Sequence, residues 1–357
     1  MKQQSYSWPN QGTRCLFTKG DSSTNAKVSL YYSIVTGIVI ATLFALPNRA
    51  LGQTEEPNGL ASFAMKPQIT DTPIKPVVVR TKANYATGGI SLRNRGAGNI
   101  SISGVTGAPQ LAFLYWSVIF NGAPPAASTQ LQIQRLYPTP VSAPMVLTGT
   151  VVGVGPSPCW GGTNVFVFRA AVPLALATGN GSYQVTLLPG AAGVVNGTDP
   201  WAAAAVFPLW EGASMVIVGT GGGTVSIFDV GLSGKTFTGT PGISYNLAIP
   251  AAPGLRTLWD NIGADGQHLF SRTADRPVSD ETTFINGAPI AGPPSEYNDS
   301  DWNGSSGFPL PELWDDTGHD VTRFVRRTST VMNVRIVNDG SFPADCLVTV
   351  ANVLEED

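Results

Sequence analysis

Charged side chains are scarce in this sequence, at 13% of 357 residues, which is about half the usual share in globular proteins. Residues 1–52 hold five of the 21 basic residues and one of the 24 acidic residues, so residues 53–357 keep 16 basic and 23 acidic, a net charge of −7. Nucleic-acid binding needs a basic surface that neutralises phosphates. We therefore predict that the chain has no nucleic-acid partner.

Cysteine and histidine are also rare, with three and two residues. None of them has the spacing of a zinc-binding motif, and no Gly-x-Ser-x-Gly elbow, HExxH motif or dinucleotide-binding glycine motif occurs. Glycine (40 residues) and proline (28 residues) are abundant instead, which is typical of turn-rich β structure. These patterns argue against the common zinc, serine-hydrolase and Rossmann classes.

A long uncharged apolar run stands near the start of the chain, from Val28 to Leu46. Basic residues precede it, and Pro47 and the sequence Ala50-Leu51-Gly52 follow it, which is the order of a secretory signal peptide cleaved before Gln53. The 19 residues of the run would also just span a bilayer, so an uncleaved anchor is the alternative. With cleavage we expect no stable membrane insertion and a secreted, periplasmic or cell-surface protein. Residues 53–75 are polar and dotted with proline, which predicts a linker or an N-terminal arm.

Two cysteines lie beyond this leader, Cys159 and Cys346. Exported proteins meet oxidising conditions, in which such a pair forms a disulfide. The bridge would close a loop of 187 residues (346 minus 159), for which a chain-entropy argument gives about 4–5 kcal/mol of stabilisation. Two buried free thiols are the alternative.

The rest of the chain alternates short β-type segments with turns rich in glycine, asparagine and proline. The apolar run 111–120 is typical of a central strand that is buried on both faces. We predict an all-β fold of two antiparallel, jelly-roll-like β-sandwich domains, 76–220 and 221–357, joined by a flexible turn at Gly221–Gly223. Apolar positions that match at an offset of 149 residues suggest an internal duplication, although alternating strands also match by chance.

Four segments resemble a broad group of secreted bacterial surface proteins with paired jelly-roll-like β-sandwich domains: LAFLYWSVIFNG (111–122), CWGG (159–162), WEGASMVIV (210–218) and WDDTGHDVTRFV (314–325). The resemblance spans about residues 80–357. It implies an exported, non-catalytic protein and supplies no catalytic residue. The first half departs from the group, because it reads Ala171-Val172-Pro173 where the second half has Asp320-Val321-Thr322.

The segment 298–304 (NDSDWNG) has the spacing that opens a calcium loop, with Asp299, Asp301 and Asn303 before a glycine. Position 310, which would close an EF-hand loop, is an apolar leucine. Glu312 and Asp315 follow and could complete a calcium site of another kind. The alternative is an ordinary polar loop, because the same residue types favour turns.

Two further polar clusters of the second half are candidates for catalysis. One could use His319 as a base beside its neighbouring acids, Asp315, Asp316 and Asp320. Glycoside hydrolysis needs two facing carboxylates, for which the candidates are Asp260, Asp265, Glu281 and Glu296. Solvated turns are the alternative in both places, so the sequence assigns no catalytic residue.

Several tryptophans lie in or beside predicted loops, among them Trp160, Trp302 and Trp314. Exposed indole rings could stack on sugars or anchor a protein partner, and the alternative is that they cap the sandwich cores. The sequence thus predicts an exported, non-catalytic binding or structural protein with calcium as a candidate stabiliser and an unknown glycan or protein as partner. The alternative is a secreted hydrolase that acts on glycan or glycoprotein through carboxylates of the second domain.

Overall fold

The computed structural model describes residues 69–157, 160–202, 204–236, 242–250, 254–266, 281–292, 301–307, 313–338 and 345–357. All of them belong to one compact unit, Arg49–Asp357. The expected signal peptide and residues 53–68 of the expected arm lie outside the described residues. Across the described ranges, no helix is long and apolar enough to cross a membrane.

Nearly all regular structure is β. Short 3₁₀ turns occur at Ala126–Thr129 and Ser305–Gly307. The strands that the described ranges contain are β1 (Ile69–Ile74), β2 (Val78–Ser91), β3 (Ala97–Ile102), β4 (Pro109–Phe120), β5 (Gln130–Tyr137), β6 (Met145–Thr148), β7 (Thr150–Pro156), β8 (Asn164–Ala171), β9 (Gly181–Leu187), β10 (Leu209–Thr236), β11 (Ile243–Ala248), β12 (Thr257–Ala264), β13 (Glu281–Ile285), β14 (Ala288–Ala291), β15 (Trp314–Asp320), β16 (Val331–Asn338) and β17 (Asp345–Glu356).

These strands form three sheets. The four-stranded sheet has the order β3-β9-β5-β6, and the five-stranded sheet has the order β1-β11-β16-β13-β14. The large sheet has the order β15-β12-β17-β10-β4-β8-β7, and β2 also pairs with β10. Neighbouring strands run antiparallel, apart from the parallel pair β1 and β11. The predicted all-β class and antiparallel sandwich architecture are confirmed.

The first core lies between the four-stranded sheet and the part of the large sheet formed by β4, β8 and the start of β10. Alternation along the strands decides which side chains enter it, as in β9, where Tyr183, Val185 and Leu187 are buried and their neighbours are not. Trp116 stacks on Phe168 with ring centroids 5.4 Å apart and on Trp210 at 6.2 Å. We call this layered pair the first sandwich.

The second core lies between the five-stranded sheet and the part of the large sheet formed by β12, β17 and the end of β10. It contains Tyr245, Val334 and Ile336 from the five-stranded sheet and Trp259 and Leu354 from the large sheet. Its burial pattern also follows strand alternation, as in β11, where every second residue is buried. We call this pair the second sandwich.

A third core joins the two sandwiches through the opposite faces of the large sheet. Val165 and Val216 of the first sandwich pack in one cluster with Ile262, Val348 and Val353 of the second. All five side chains are at most 1% exposed. This contact face, which we call the junction, brings β2 and β10 next to β12 and β15.

The long strand β10 belongs to both sandwiches. Its residues 209–219 pair with β4, its residues 224–236 pair with β17, and β2 accompanies it from 212 to 227. Gly221–Gly223, predicted as a flexible turn, lies inside this strand at a shift of register, and Gly221 and Gly222 have φ angles of +96° and +99°. At this irregularity the partner of β10 changes from β4 to β17, while β2 pairs with β10 on both sides of it.

Candidate functional site

The junction brings together acids that are far apart in the sequence. Asp260 lies on β12 and Asp316 on the neighbouring β15, where Ile262 is the register partner of Asp316. Opposite residues of a strand pair point to the same face, so both aspartates face the first sandwich. Tyr85 donates a hydrogen bond of 2.9 Å to Asp260 Oδ1, and Thr87 donates one of 2.7 Å to Oδ2.

Asp316 is held from the β10 side. Ser214 donates a hydrogen bond of 2.6 Å to Asp316 Oδ2 and accepts one of 2.9 Å from the Trp314 indole. Gly89 of β2 leaves room for this contact, because a Cβ atom there would lie 2.9 Å from the Trp314 indole nitrogen. Burial and the nearby charge of Asp260 raise the pKa of Asp316 to about 7. Burial also raises the pKa of Asp260, although Thr87 and Tyr85 oppose that shift.

A second polar group, the aromatic cluster, lies at the same junction and consists of Arg93, Trp160, Trp201, Glu211 and Asp265. The guanidinium carbon of Arg93 lies 4.3 Å from the centre of the Trp160 ring, and Trp201 meets that ring edge-on with centroids 5.9 Å apart. The Trp160 indole donates a hydrogen bond of 2.6 Å to Asp265 Oδ1. Both indoles are half-buried, whereas the three charged side chains are at most 2% exposed.

The charges of the aromatic cluster do not balance. Arg93 forms a buried ion pair with Glu211, but Glu211 Oε2 and Asp265 Oδ2 are buried and have no hydrogen-bond partner. Burial raises the pKa of Glu211 against the opposing charge of Arg93. Burial and the charge of Glu211 raise the pKa of Asp265 well above its usual value. The positive charge of Arg93 therefore acts on two carboxyl groups, and each of these carboxyl groups keeps one oxygen atom that accepts no hydrogen bond.

The backbone is strained at both ends of the hydrogen bond that closes this cluster. Trp160 has a φ angle of +62° and Asp265 one of +71°. Residues other than glycine rarely adopt this left-handed region, and each such residue costs about 1–3 kcal/mol. Strain of this kind collects at functional sites, where surrounding contacts hold it in place.

The candidate calcium ligands are only partly described. Asp299 and Glu312 lie outside the described residues. Asp315 Oδ1 and Asn303 Oδ1 both accept a hydrogen bond from the Ser305 amide, at 3.2 and 3.0 Å, so these two residues shape the turn at 303–305. In the part of the chain that is described, no three His, Cys, Asp or Glu residues are grouped so that they could hold a metal ion. A calcium site here stays a prediction.

His319 faces the interior of the second sandwich. Its Nε2 lies 2.5 Å from Asp301 Oδ1, which also accepts a 2.8 Å hydrogen bond from Thr317. Burial alone would raise the pKa of Asp301, but the charge of His319 and these hydrogen bonds hold that pKa below its usual value. The segment predicted as a solvated turn around Asp315–Asp320 is strand β15, whose alternation sends Asp316 to the junction and His319 to the core. Asp320 is exposed at the end of the strand.

The tryptophans chosen from the sequence fall into two groups. Trp302 and Trp314 are fully buried, in the second core and the junction. Trp160 is half-buried, so among these three it is the side chain that an external ligand could reach. Glu281 lies buried on β13, while Glu296 and Cys159 lie outside the described residues. Cys346 is buried at the start of β17, and its pairing with Cys159 stays a prediction.

Sequence reasoning missed the residues of the first sandwich that complete both polar groups. Arg93 and Glu211 form a buried pair across 118 positions, and Tyr85 reaches Asp260 across 175. A weak signal for Glu211 was available, because it is an acid inside the otherwise apolar segment 209–218. Buried acids of that kind need a partner. No local pattern identifies Arg93 as that partner.

No family model matches the chain and no curated protein matches it. A peptide-N(4)-(N-acetyl-β-D-glucosaminyl)asparagine amidase is 10% identical, with a TM-score of 0.27 over 77% of this chain and 96% of that chain. PNGase F of Flavobacterium meningosepticum is also 10% identical, with a TM-score of 0.23 over 76% of this chain and 96% of that chain. The ANX2 ectodomain of Arabidopsis thaliana is 10% identical, with a TM-score of 0.24 over 78% of this chain and 83% of that chain. Any function must therefore be argued from the residues of this chain.

Proposed function

We propose that this is an exported, non-catalytic protein that binds a carbohydrate at the aromatic cluster. The observation that carries the proposal is the hydrogen bond between Trp160 and Asp265, because both residues have backbones in the strained left-handed region at the junction of the sandwiches. Strain of this kind lowers the stability of the fold, and strained residues persist mainly at functional sites such as ligand-binding sites.

The aromatic surface suits a sugar. Trp160 and Trp201 present half-buried indole rings inclined at 69° to each other, so a pyranose could lie against one face and be bordered by the other. Large aromatic side chains contribute contact area with little loss of conformational freedom, because few torsions are fixed. Arg93 behind the Trp160 ring supports its orientation through a cation–π contact.

The unbalanced carboxyl groups suit the hydroxyls of a sugar. Glu211 Oε2 and Asp265 Oδ2 are acceptors without donors, and a buried acceptor without a donor costs about 1–3 kcal/mol. Sugar hydroxyls are donors of the kind that these two acceptor atoms lack. A cation is a poorer match here, because the Arg93 guanidinium already pairs with Glu211 and its charge also acts on Asp265.

Export and a disulfide belong to the same proposal. The leader of residues 1–52 supports delivery to an oxidising compartment, and Cys159 directly precedes Trp160 in the sequence. A bridge from Cys159 to Cys346 would anchor the segment that carries Trp160 to the start of β17. With the backbone beside Trp160 held by this bridge, the indole ring could move only through the torsions of its own side chain.

The proposal is tested by titrating the purified protein with soluble neutral and acidic polysaccharides in a calorimeter. We expect binding by at least one of them, and we expect Trp160→Ala to weaken it by about tenfold or more through the loss of one stacking ring. Tyr137→Ala removes an exposed aromatic ring outside the cluster and should bind as the parent does. The proposal fails if no polysaccharide binds, or if Trp160→Ala and the parent bind equally.

A secreted hydrolase acting on glycan or glycoprotein is the second candidate, and the pair Asp260 and Asp316 favours it. Both aspartates are half-buried, so they are more open than Glu211 and Asp265. The pKa of about 7 keeps the Asp316 carboxyl protonated near neutrality, as a general acid requires. Asp260, which accepts two hydroxyl hydrogen bonds, would supply the matching carboxylate.

A further inference from the structure

One stretch of the second sandwich carries charge of a single sign. Residues 321–337 contain four arginines and no acidic residue, so their net charge is +4. Residues 53–357 carry −7 in total, so the remainder carries −7 − 4 = −11. An anion is therefore attracted to this stretch and repelled by the rest of the protein. We call the four side chains the arginine surface, and all of them are exposed: Arg323, Arg326, Arg327 and Arg335.

The connection from β15 to β16 holds three of these arginines on one turn. Val321 and Val325 are buried in the second core and anchor the turn. The Val321 carbonyl accepts backbone hydrogen bonds from Phe324 at 2.9 Å and from Val325 at 3.2 Å. Consecutive Cα atoms are about 3.8 Å apart, so at most about 15 Å separates the Cα atoms of Arg323 and Arg327. The turn thus concentrates its positive charge at the end of the second sandwich.

Asn286 links this turn to β16, which carries the fourth arginine. Its Nδ2 donates a hydrogen bond of 2.8 Å to the Phe324 carbonyl, and its Oδ1 accepts one of 2.9 Å from the Asn333 amide. Arg335 follows Asn333 by two residues and lies on the same face of the strand. Along this path, at most about 25 Å separates the Cα atoms of Arg326 and Arg335. The arginines therefore follow one continuous path from the end of the sandwich onto the five-stranded sheet.

The N–H donors of this surface are available to an external anion. The Arg335 guanidinium carbon lies 4.5 Å from the centre of the Phe284 ring. Stacking of this kind orients the guanidinium through its face and leaves the donors at its edge, where they match the two oxygens of a carboxylate. The described part of the chain supplies no acidic partner to Arg326, Arg327 or Arg335.

The nearest acid of the chain does not neutralise the turn. Asp320 precedes the stretch directly, but its carboxylate lies 3.7 Å from Arg256 and accepts hydrogen bonds from Thr322. The arginine surface thus keeps a positive charge that the fold does not use.

The shape and composition of the surface favour one class of anion. A small anion would contact a single arginine, whereas a path of arginines matches a chain with repeated charges. Protein interfaces depend on apolar and aromatic anchors, and residues 321–337 expose no large apolar side chain. Duplex nucleic acid carries one charge per about 1.7 Å of its axis, so most of its phosphates would meet the acidic remainder of the protein. A narrow glycan strand with one carboxylate on each sugar avoids that repulsion.

We propose that the arginine surface binds an acidic polysaccharide through the carboxylates of its uronate sugars. Each carboxylate accepts two parallel N–H hydrogen bonds from one guanidinium, a geometry that lysine does not offer. All four cations of the stretch are arginine, which fits this mode of recognition. None of them belongs to the aromatic cluster, so the site is separate from the carbohydrate site proposed there.

The test is calorimetric titration of the full chain with alginate, a polyuronate, and with neutral dextran at about 20 mM salt. We expect alginate to bind and its affinity to fall as salt is added, because the charges are exposed and screened. The double variant Arg326→Gln/Arg327→Gln should bind alginate about tenfold or more weakly, since two donor groups and two charges are lost. Both side chains are exposed, so the melting temperature should stay close to that of the parent.

Arg80→Gln/Lys82→Gln is the matched control, because it removes two positive charges at exposed residues of β2 outside the arginine surface. It should bind alginate as the parent does. A parent chain that does not bind alginate overturns the proposal, and so does an equal loss in the two double variants, which would show that only total charge matters.

Two further measurements separate this site from other partners and from the aromatic cluster. Vesicles that contain phosphatidylglycerol offer the same negative charge on a lipid surface, and binding to them without binding to alginate overturns the proposal. Trp160→Ala should leave the affinity for alginate unchanged. A loss in Trp160→Ala but not in Arg326→Gln/Arg327→Gln would assign alginate to the aromatic cluster and overturn this proposal alone.

Discussion

At the scale of single residues, Asp260 and Asp316 differ from Glu211 and Asp265 in being only half-buried. Their hydrogen-bond donors are hydroxyls of Tyr85, Thr87 and Ser214, not cations. Hydroxyl donors satisfy a carboxyl group without fixing its charge, whereas an arginine partner strongly favours the ionised form. The pair can thus hold one proton near neutral pH, which an acid–base reaction would use.

The second candidate function makes a prediction about Asp316. If the chain hydrolyses a glycan, Asp316→Asn should lower the rate by about 100-fold or more, because the amide cannot donate the proton that the leaving group needs. The parent's activity should fall as pH rises through about 7, where the Asp316 carboxyl ionises. The measurement is the release of reducing sugar from a panel of polysaccharides across pH.

Asp320→Asn supplies the control for this prediction. Asp320 lies on the same strand as Asp316 but is exposed, and its carboxylate accepts hydrogen bonds from the neighbouring Thr322. Its replacement should leave the rate unchanged. A panel on which the parent releases no sugar at any pH removes the hydrolase candidate.

The sequence predicted residue types better than it predicted residue environments. Asp260, Asp316 and Trp160 were all chosen from local polar or aromatic context, and the structure places them at the junction. The burial of Trp302 and Trp314 agrees with packing at the cores, the alternative to ligand binding, and it depends on distant strands, since Trp302 packs on Gly263 and Trp314 on Gly89 and Gly212. Tyr85, Arg93 and Glu211 were missed for the same physical reason, since their contacts span more than 100 positions.

At the scale of elements, β7 crosses β10 with almost no space between the two backbones. A Cβ atom built on Gly153 would lie 2.4 Å from Gly231 Cα and 2.6 Å from the Gly231 carbonyl oxygen. Gly231 itself has a φ angle of +59°. Ser233 then donates a hydrogen bond of 2.9 Å to the Pro156 carbonyl, which fixes the end of the crossing.

This crossing predicts that Gly153→Ala is destabilising. The methyl group would meet backbone atoms, which cannot rotate away, so we expect the free energy of unfolding to fall by about 1–3 kcal/mol. Chemical denaturation followed by tryptophan fluorescence measures the change. Because the methyl group would separate β7 from β10, the loss should come without a change in the strand content seen by circular dichroism.

Gly96→Ala is the comparison for Gly153→Ala. A Cβ atom on Gly96 would lie 3.5 Å from the Val195 side chain, which is an ordinary contact. We expect a change of about 0.5 kcal/mol or less there. Equal losses in the two variants would show that the close approach of β7 and β10 does not limit stability.

Strands were predictable where apolar and polar residues alternate regularly, but not where pairing with neighbouring strands decides the conformation. The segments of β8, β9 and β16 were predicted as strands from their apolar periodicity, and they are strands in the structure. Gly221–Gly223 was predicted as a turn because three glycines favour one locally. In the structure β2 pairs with β10 on both sides of these glycines, so the strand continues through a shift in register at which Gly221 and Gly222 have positive φ angles.

At the scale of the whole molecule, buried carboxyl groups with raised pKa values make stability depend on pH. Burial raises the pKa of Asp316, Glu355 and Glu356 to about 7. The folded state therefore binds these protons more tightly than the unfolded chain, whose carboxyl groups titrate near pH 4. The stabilisation from the three groups is complete below about pH 4 and is lost as pH rises through about 7.

We thus expect the melting temperature to fall between pH 5 and pH 8, which calorimetry in matched buffers would measure. Asp301 and Asp320 have lowered pKa values and act in the opposite sense, but their contribution changes only below about pH 4. Glu356→Gln should flatten the profile, since an amide does not ionise. A melting temperature that rises across this interval would contradict the three raised pKa values.

The shared strand β10 has a consequence for the order in which the protein can be completed. Its second half is bordered by β17, whose residues 345–356 are made more than 100 positions later. A chain that leaves the ribosome from its N-terminus cannot finish the large sheet until that late strand has emerged, and contacts so distant in sequence close slowly. The large sheet consequently stays incomplete, with the second half of β10 unpaired on its β17 side, until the last strand of the chain has been synthesised.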